Sequence, residues 1–242
     1  MFGLFLILPV FVLYAPGLEG ATPLTVGIAL GAYGLTQAVF QVPFGMLSDR
    51  YGRKRMLSIG LLLFVFGSVV AALSSSIEGN ILGRAIQGTG AISAVVLATL
   101  SDLTREQTRT KAMAVVGVSI GFSFLLALML GSSLVQWHGL SGLFWITACL
   151  ATAAVLVVWL TVPTATRVSA SVEIQPVRSQ ISAVLFNRQL QGLNLGIFVL
   201  HMTLMALFIA VPVGLRDILD LVSASHWQFY VPVLVCSVFG MV

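Results

Sequence analysis

The chain has 242 residues, of which 58% are hydrophobic and only 8% charged, and its mean hydropathy is +1.05. A water-soluble domain carries about 25% charged residues, so this composition excludes a soluble globular fold and implies a polytopic membrane protein. The net charge of +4 does not imply a nucleic-acid partner, because the basic residues sit in short polar segments rather than on one patch.

A helix of about 20 apolar residues crosses the hydrocarbon core, because lipid offers free backbone groups no partner. On that criterion helices are predicted at 2–18, 24–45, 56–77, 79–101, 112–136, 140–162 and 188–213, with an eighth beginning near Trp227. The first has no Lys or Arg ahead of its apolar run, unlike a signal peptide, and six more spans follow it. Its short N-terminal side suggests that Met1 is a truncated or alternative start. Helix two carries Tyr33, Gln37 and Gln41 at i, i+4 and i+8, a polar face that should point into protein or a water-filled cavity rather than lipid.

Between helices two and three lies a charged island, Gly45-Met-Leu-Ser-Asp-Arg-Tyr-Gly-Arg-Lys-Arg55, in which five of eleven residues are charged. A charged turn there must sit at a water interface. Gly45 should allow close approach to a neighbouring helix, and Gly52 should permit a sharp turn, since glycine tolerates positive φ. Asp49 and Arg53 are close enough to pair, partly shielded at the membrane edge, and Asp102 at the end of helix four can join them.

Helix four also holds Arg84 within an apolar run, which costs roughly 2.5–3.5 kcal/mol at a helix centre on insertion scales and less near an end. Two readings stand: an Arg that snorkels to the interface, or a charge facing a central cavity that contacts substrate or influences a nearby acid. Gln87, at i+3, favours an inward polar stripe. Helix five contains Gly117-x-x-x-Gly121, then Gly131-Ser132, with Ser119 and Ser123 between, a spacing that permits close helix contact. Cys149 and Cys236 fall in apolar runs and read as small membrane-helix residues, not a disulfide or metal pair. His201 stands beside Met202 and Met205 in helix seven, where it is either a packing residue or a proton carrier.

The polar stretch from Pro163 to Asn187 divides the chain into a six-helix unit (1–162), a cytoplasmic linker (163–187) and the start of a second unit (188–242). Within the linker, Ile181 to Phe186 is apolar enough to lie along the membrane surface. Ten of the twelve basic residues fall in the three loops between helices two and three, four and five, and six and seven. The bias of Lys and Arg to the cytoplasm then puts the N-terminus and the charged island on the cytoplasmic side. There is no phosphate-binding Gly-x-x-x-x-Gly-Lys-Ser/Thr, no His/Cys cluster at metal spacing and no nucleophile with a base, so neither an enzyme nor a cofactor is expected. No acidic residue lies in mid-membrane.

Gly45, Leu47, Asp49, Arg50, Gly52, Arg53, Lys54 or Arg55 and Leu57 closely match the loop signature known as motif A of the major facilitator superfamily. Leu82-x-Arg84-x-x-Gln87-Gly88-x-Gly90-Ala91 resembles its motif B. Tyr33-Gly-Leu-Thr-Gln37 and Leu103-Thr-Arg-Glu-Gln-x-Arg-x-Lys-Ala-Met113 resemble the bacterial drug:proton antiporter branch, although Ser132 stands where the antiporter signature of helix five has Pro. The resemblance implies an all-α bundle and alternating access between two halves around a central site. It implies a bacterial inner-membrane protein, monomeric, that exports small amphipathic or drug-like molecules by coupling to the proton gradient. It also implies that Gly45, Asp49, Arg50, Gly52, Arg53 and Asp102 form a conformational latch, with Asp49 also facing a helix N-terminus in the second half. Tyr33, Gln37, Gln41, Arg84, Gln87 and His201 are the candidates for the pathway or its coupling. The rival from another class is a truncated, non-transporting membrane module that binds a ligand or partner.

Overall fold

The computed structural model describes residues 2–90, 92–163, 186–217, 228–230 and 232–233. Among them the regular structure is helical: α1 (Phe2–Tyr14), α2 (Pro23–Tyr51), α3 (Arg53–Leu73), α4 (Ile77–Thr89), α5 (Ser93–Leu103), a helical stretch Glu106–Thr161, and Arg188–Asp217. The stretch from Glu106 is interrupted at Gly139 (φ 67, ψ −178), a conformation open to glycine, which divides it into α6 (106–138) and α7 (140–161). Arg188–Asp217 is then α8. Five stretches are long and apolar enough to cross a membrane: Pro23–Tyr51, Arg53–Leu73, Ile77–Leu103, Glu106–Thr161 and Arg188–Asp217. The 56 residues of Glu106–Thr161 extend about 80 Å at 1.5 Å per residue, more than twice a hydrocarbon core of about 30 Å, so the bend at Gly139 makes a hairpin of two crossings.

Helix boundaries depart from the apolar runs wherever charged residues are good helix formers. The charged island is not a loop: Gly52 alone separates α2 from α3, at φ 96 and ψ 140, and the flanking Arg and Lys residues lie on helical turns. Residues 106–111 likewise extend α6 beyond the predicted start at 112. Thr22 caps α2 with a reciprocal bond to Thr25, and the Ser76 side chain caps α4, which begins at Ile77, two residues before its predicted start. The predicted single span at 79–101 is broken at Gly90–Ile92, which ends α4 and starts α5. The first helix is shorter than predicted, giving way to a 3₁₀ turn at Ala15–Gly17 around Pro16. Most of the predicted surface segment at 181–186, nearly all of the linker, Ala91, Cys236 and most of the eighth helix lie outside the described residues; 228–230 and 232–233 are helical.

The surface is the inverse of a soluble protein's. Trp137, Leu160, Val118, Phe66 and many other large apolar side chains are exposed, while Arg84, Gln87, Asn80 and Ser68 are buried. In lipid the helices gain no hydrophobic drive from meeting one another, so close van der Waals fit holds them. That fit is supplied by glycine at the α3–α4 crossing. A Cβ on Gly83 would fall 2.7 Å from the Ala71 backbone nitrogen, and one on Gly67 would strike Gln87 and the Gly83 carbonyl. Gly60 and Gly90 make the same kind of approach where α3 passes the α4–α5 break. The expected close contacts at Gly45 and at Gly117-x-x-x-Gly121 are not formed among the described residues: a Cβ on Gly45 would be 4.0 Å from Ala94, and Gly117 and Gly121 have no neighbour within 4 Å. At the Glu19 end of the bundle, Phe11 meets Phe144 edge to face, with Ile7, Val26, Ala71 and Ile77 around them.

Candidate functional site

Two polar assemblies stand out, one at an end of the bundle and one within it. At the end, Arg53 opens α3 directly after Gly52 and gathers three acceptors. Its Nη2 is 2.6 Å from Asp49 Oδ1 on the last turns of α2, its Nε donates to Asp102 Oδ2 at 2.9 Å, and its Nη1 donates to Ser48 Oγ at 2.5 Å. Asp49 and Asp102 are exposed, whereas Ser48 is buried and passes its own proton to the Gly45 carbonyl at 2.6 Å. The planar guanidinium suits this task, because its donors point in three fixed directions. Beside it, Lys54 Nζ donates to the Trp159 carbonyl at 2.8 Å and lies over the Trp159 ring, tying α3 to the end of α7. A lysine on those last carbonyls is also favoured by the helix dipole. Arg50 lies over the ring of its neighbour Tyr51 and is not part of the Arg53 network. The residues following Asp102 and those around Trp159 thus lie at the same end of the bundle as the α2–α3 turn.

Within the bundle, α4 presents Arg84 and Gln87 to α2 and α3. Arg84 is fully buried, so it does not snorkel to an interface. Its Nη1 donates to Gln87 Oε1 at 2.9 Å, Gln87 Nε2 donates to Ser68 Oγ at 2.7 Å, and Ser68 donates to the Phe64 carbonyl at 2.7 Å. The ring of Tyr33 covers one face of the guanidinium, 4.6 Å from centroid to Cζ. Gly88 makes this possible, because a side chain there would collide with the Tyr33 carbonyl and with Thr36. Thr36 Oγ1 in turn donates to the Ala85 carbonyl at 2.9 Å, which fixes α2 on α4.

A cavity of about 500 Å³ opens beside this chain of bonds, walled by α1, α2, α3, α5, α6 and α7 but by no residue of α4, with Phe64, Ile92 and Val116 among its apolar walls and Tyr33, Gln37, Ser93, Ser123 and Thr147 as polar points. The volume lies within the usual range for small-molecule sites. Gln37 Nε2 reaches Ser93 Oγ at 3.4 Å across it. The structure therefore brings Tyr33 and Gln37 to the cavity and holds Arg84 and Gln87 directly behind Tyr33. Gln41 does not line it. His201 is exposed, its Nδ1 bonded to the Ile197 carbonyl of its own helix at 2.9 Å, so it is neither packed nor near the cavity. No Asp or Glu lines the cavity, and no group of three or more metal-ligating side chains occurs among the described residues.

Sequence reasoning overlooked Ser48, Ser68, Ser93 and Lys54–Trp159. A serine in a membrane helix signals little by itself, since it can satisfy its hydroxyl on its own helix. What marks these residues is the partner that folding delivers from a distant segment.

The helical bundle with glycine-mediated crossings, a charged α2–α3 turn and a central cavity defines a multi-pass membrane protein of the facilitator type. The family described as Major Facilitator Superfamily matches residues 1–242, and the chain belongs to it. It is 49% identical over 243 residues to the inner membrane transport protein YajR of Escherichia coli K12, across 100% of this chain and 53% of that protein. It is 36% identical to an uncharacterized transporter of Buchnera aphidicola from Acyrthosiphon pisum, across 99% of this chain and 61% of that one. The chain thus spans about half the length of the curated relatives it matches. A solved structure titled as a peptide transporter POT in complex with sulfate superposes with a TM-score of 0.53 at 18% identity, over 86% of this chain and 43% of that one, a likeness of fold.

Proposed function

We propose that this chain forms the first six-helix bundle (1–162), the linker (163–187) and the beginning of the second bundle (188–242) of a secondary transporter that exports small amphipathic molecules by alternating access. The observation that carries this reading is the cavity: a space of about 500 Å³, mostly apolar, with a few polar groups from different helices converging on it. The Arg53 network lies at the end of the bundle, away from Tyr33 and Gln37, and fits a conformational latch rather than a substrate contact. In this reading Asp49, Arg53 and Asp102 hold one state, and the N-terminus, the latch and the linker face the cytoplasm, consistent with the Lys and Arg bias. The protein works as a monomer in the bacterial inner membrane, driven by the proton gradient that the antiporter-like phrases suggest.

The test is an efflux-deficient host expressing the natural reading frame in full, challenged with a panel of amphipathic antibiotics and dyes. Resistance to at least one compound, with substrate-dependent proton movement in proteoliposomes that is reduced by Asp49→Asn, is the expected result. Absence of both refutes transport.

A further inference from the structure

Arg84 carries more hydrogen-bonding capacity than the described residues use. Of its three guanidinium nitrogens, Nη1 is bound to Gln87, while Nε and Nη2 are buried and have no hydrogen-bond partner among the described residues. No described carboxylate pairs with it. The Tyr33 ring stabilises the cation through its face and leaves the N–H groups along the edge unanswered. The two unanswered donors are not a random pair. Nε–H and Nη2–H are parallel and form the side-on fork of a guanidinium, which matches the two oxygens of a carboxylate. A buried charge with most of its donors unpaired is costly, and a bidentate anion on that edge reduces the cost.

The surroundings determine how an anion reaches the edge. The α2 and α4 backbones are locked together where Gly88 meets the Tyr33 carbonyl and Thr36 bonds to Ala85. The two helices are therefore in close contact beside Arg84. The Tyr33 side chain is the movable part: it lines the cavity on one side and covers Arg84 on the other. The Gln87–Ser68 bond joins α4 to α3 and does not involve Tyr33, so a turn of the Tyr33 ring about its side-chain bonds would leave it in place.

We infer that the free edge of Arg84 is the seat for a carboxylate borne by the molecule in the cavity, with Tyr33 as its hinged cover and the apolar walls taking the rest of the molecule. This inference rests on the reading of the cavity as a substrate site and narrows its substrate class from amphipathic molecules in general to amphipathic carboxylates. Gln87 is a positioning residue here: it fixes the guanidinium plane from the opposite side.

The experiment uses the full-length protein in phosphatidylcholine nanodiscs and three probes of nearly equal shape: 2-naphthoate, neutral 2-naphthamide and cationic 2-naphthylmethylammonium. Affinities are read by isothermal titration calorimetry. The wild-type protein is expected to bind naphthoate at least tenfold more tightly than the amide and the ammonium. Arg84→Gln should erase that preference, and Arg84→Lys should recover only part of it, because an ammonium lacks the fork. Tyr33→Phe should keep the preference, since the cover needs the ring and not the hydroxyl. Naphthoate bound no better than the amide by the wild type overturns the proposal without any variant, as does a preference that survives Arg84→Gln; equal affinities are also what an Arg84 already paired by an acid elsewhere in the protein would give. If naphthoate is preferred but nothing is exported, this inference stands and the transport reading falls. Export of compounds without any carboxylate preference has the opposite outcome.

Discussion

Replacing Gln87 with leucine removes the one residue that joins Arg84 on α4 to Ser68 on α3. The two side chains are similar in size and Gln87 is fully buried, so the change is chiefly chemical. Two bonds are lost, from Arg84 Nη1 at 2.9 Å and to Ser68 Oγ at 2.7 Å. Ser68 keeps its bond to the Phe64 carbonyl, so its hydroxyl proton is not orphaned. Arg84 loses the only hydrogen bond it has among the described residues. A hydrogen bond to a charged group contributes about 1.5–3 kcal/mol, and an interhelical bond within a membrane averages about 0.6 kcal/mol and reaches about 1.7. Gln87→Leu should therefore cost about 2–4 kcal/mol, with the Arg84 bond the larger share. Gln87→Glu should cost far less, because the carboxylate gives the guanidinium a stronger partner at the same place. The assay is reversible unfolding of the full-length protein in mixed micelles with increasing dodecyl sulfate. A loss below about 0.5 kcal/mol for the leucine variant, which is the scale of an ordinary surface substitution, or equal behaviour of the two variants, would refute the idea that Gln87 sustains the buried cation.

Other substitutions probe the remaining contacts. Gly83→Ala should destabilise by about 1–3 kcal/mol, because its Cβ would press on the Ala71 and Gly67 backbones. Gly34→Ala, in open space on α2, should be neutral or gain up to about 1 kcal/mol from helix propensity; the same unfolding assay reads both. Gly52→Ala should cost about 1–3 kcal/mol, since φ 96 with ψ 140 is strained for any side chain. Asn should not rescue it, because that ψ lies outside the left-handed helical region asparagine tolerates. Arg53→Gln should change stability by no more than about 1–2 kcal/mol, because both its acidic partners are exposed and each such pair contributes about 0.2–1 kcal/mol. Its larger effect should be on transport rate, and Arg53→Lys should not restore that rate in proteoliposomes, since a single ammonium cannot hold Ser48, Asp49 and Asp102 together.

The sequence disclosed the fold through the lengths of its apolar runs, because a bilayer imposes a length on every crossing. It was less informative about where helices end. Hydropathy marks the hydrocarbon boundary, whereas a helix continues into water wherever its residues favour it, as at Asp49 to Tyr51 and Glu106 to Lys111. The break at Gly90–Ile92 was hidden because glycine and small apolar residues leave the hydropathy of a span unchanged; only the close passage of Gly60 on α3 gives the break a purpose. Of the site, the Asp49–Arg53 pair was legible from i, i+4 spacing, and Asp102 from its shared end of the bundle. Arg84 was legible as a misplaced charge, but its burial beneath Tyr33 depends on Gly88, a residue whose role is defined only by what crosses it. Gln41 continues the period of the Tyr33–Gln37 face yet does not line the cavity. His201 shows a related limit: an isolated polar residue in an apolar helix does not reveal which way it points.

Alternating access of the cavity between Tyr33, Gln37 and Ser93 is the claim on which the account depends. Its most direct measurement is the reactivity of Ser93→Cys in the full-length protein, with every native cysteine, Cys149 and Cys236 included, replaced by serine, toward a membrane-impermeant maleimide. Labelling is compared in right-side-out and inside-out vesicles. Modification from both faces is the predicted result; modification from one face only, under conditions where the protein is otherwise active, would contradict it.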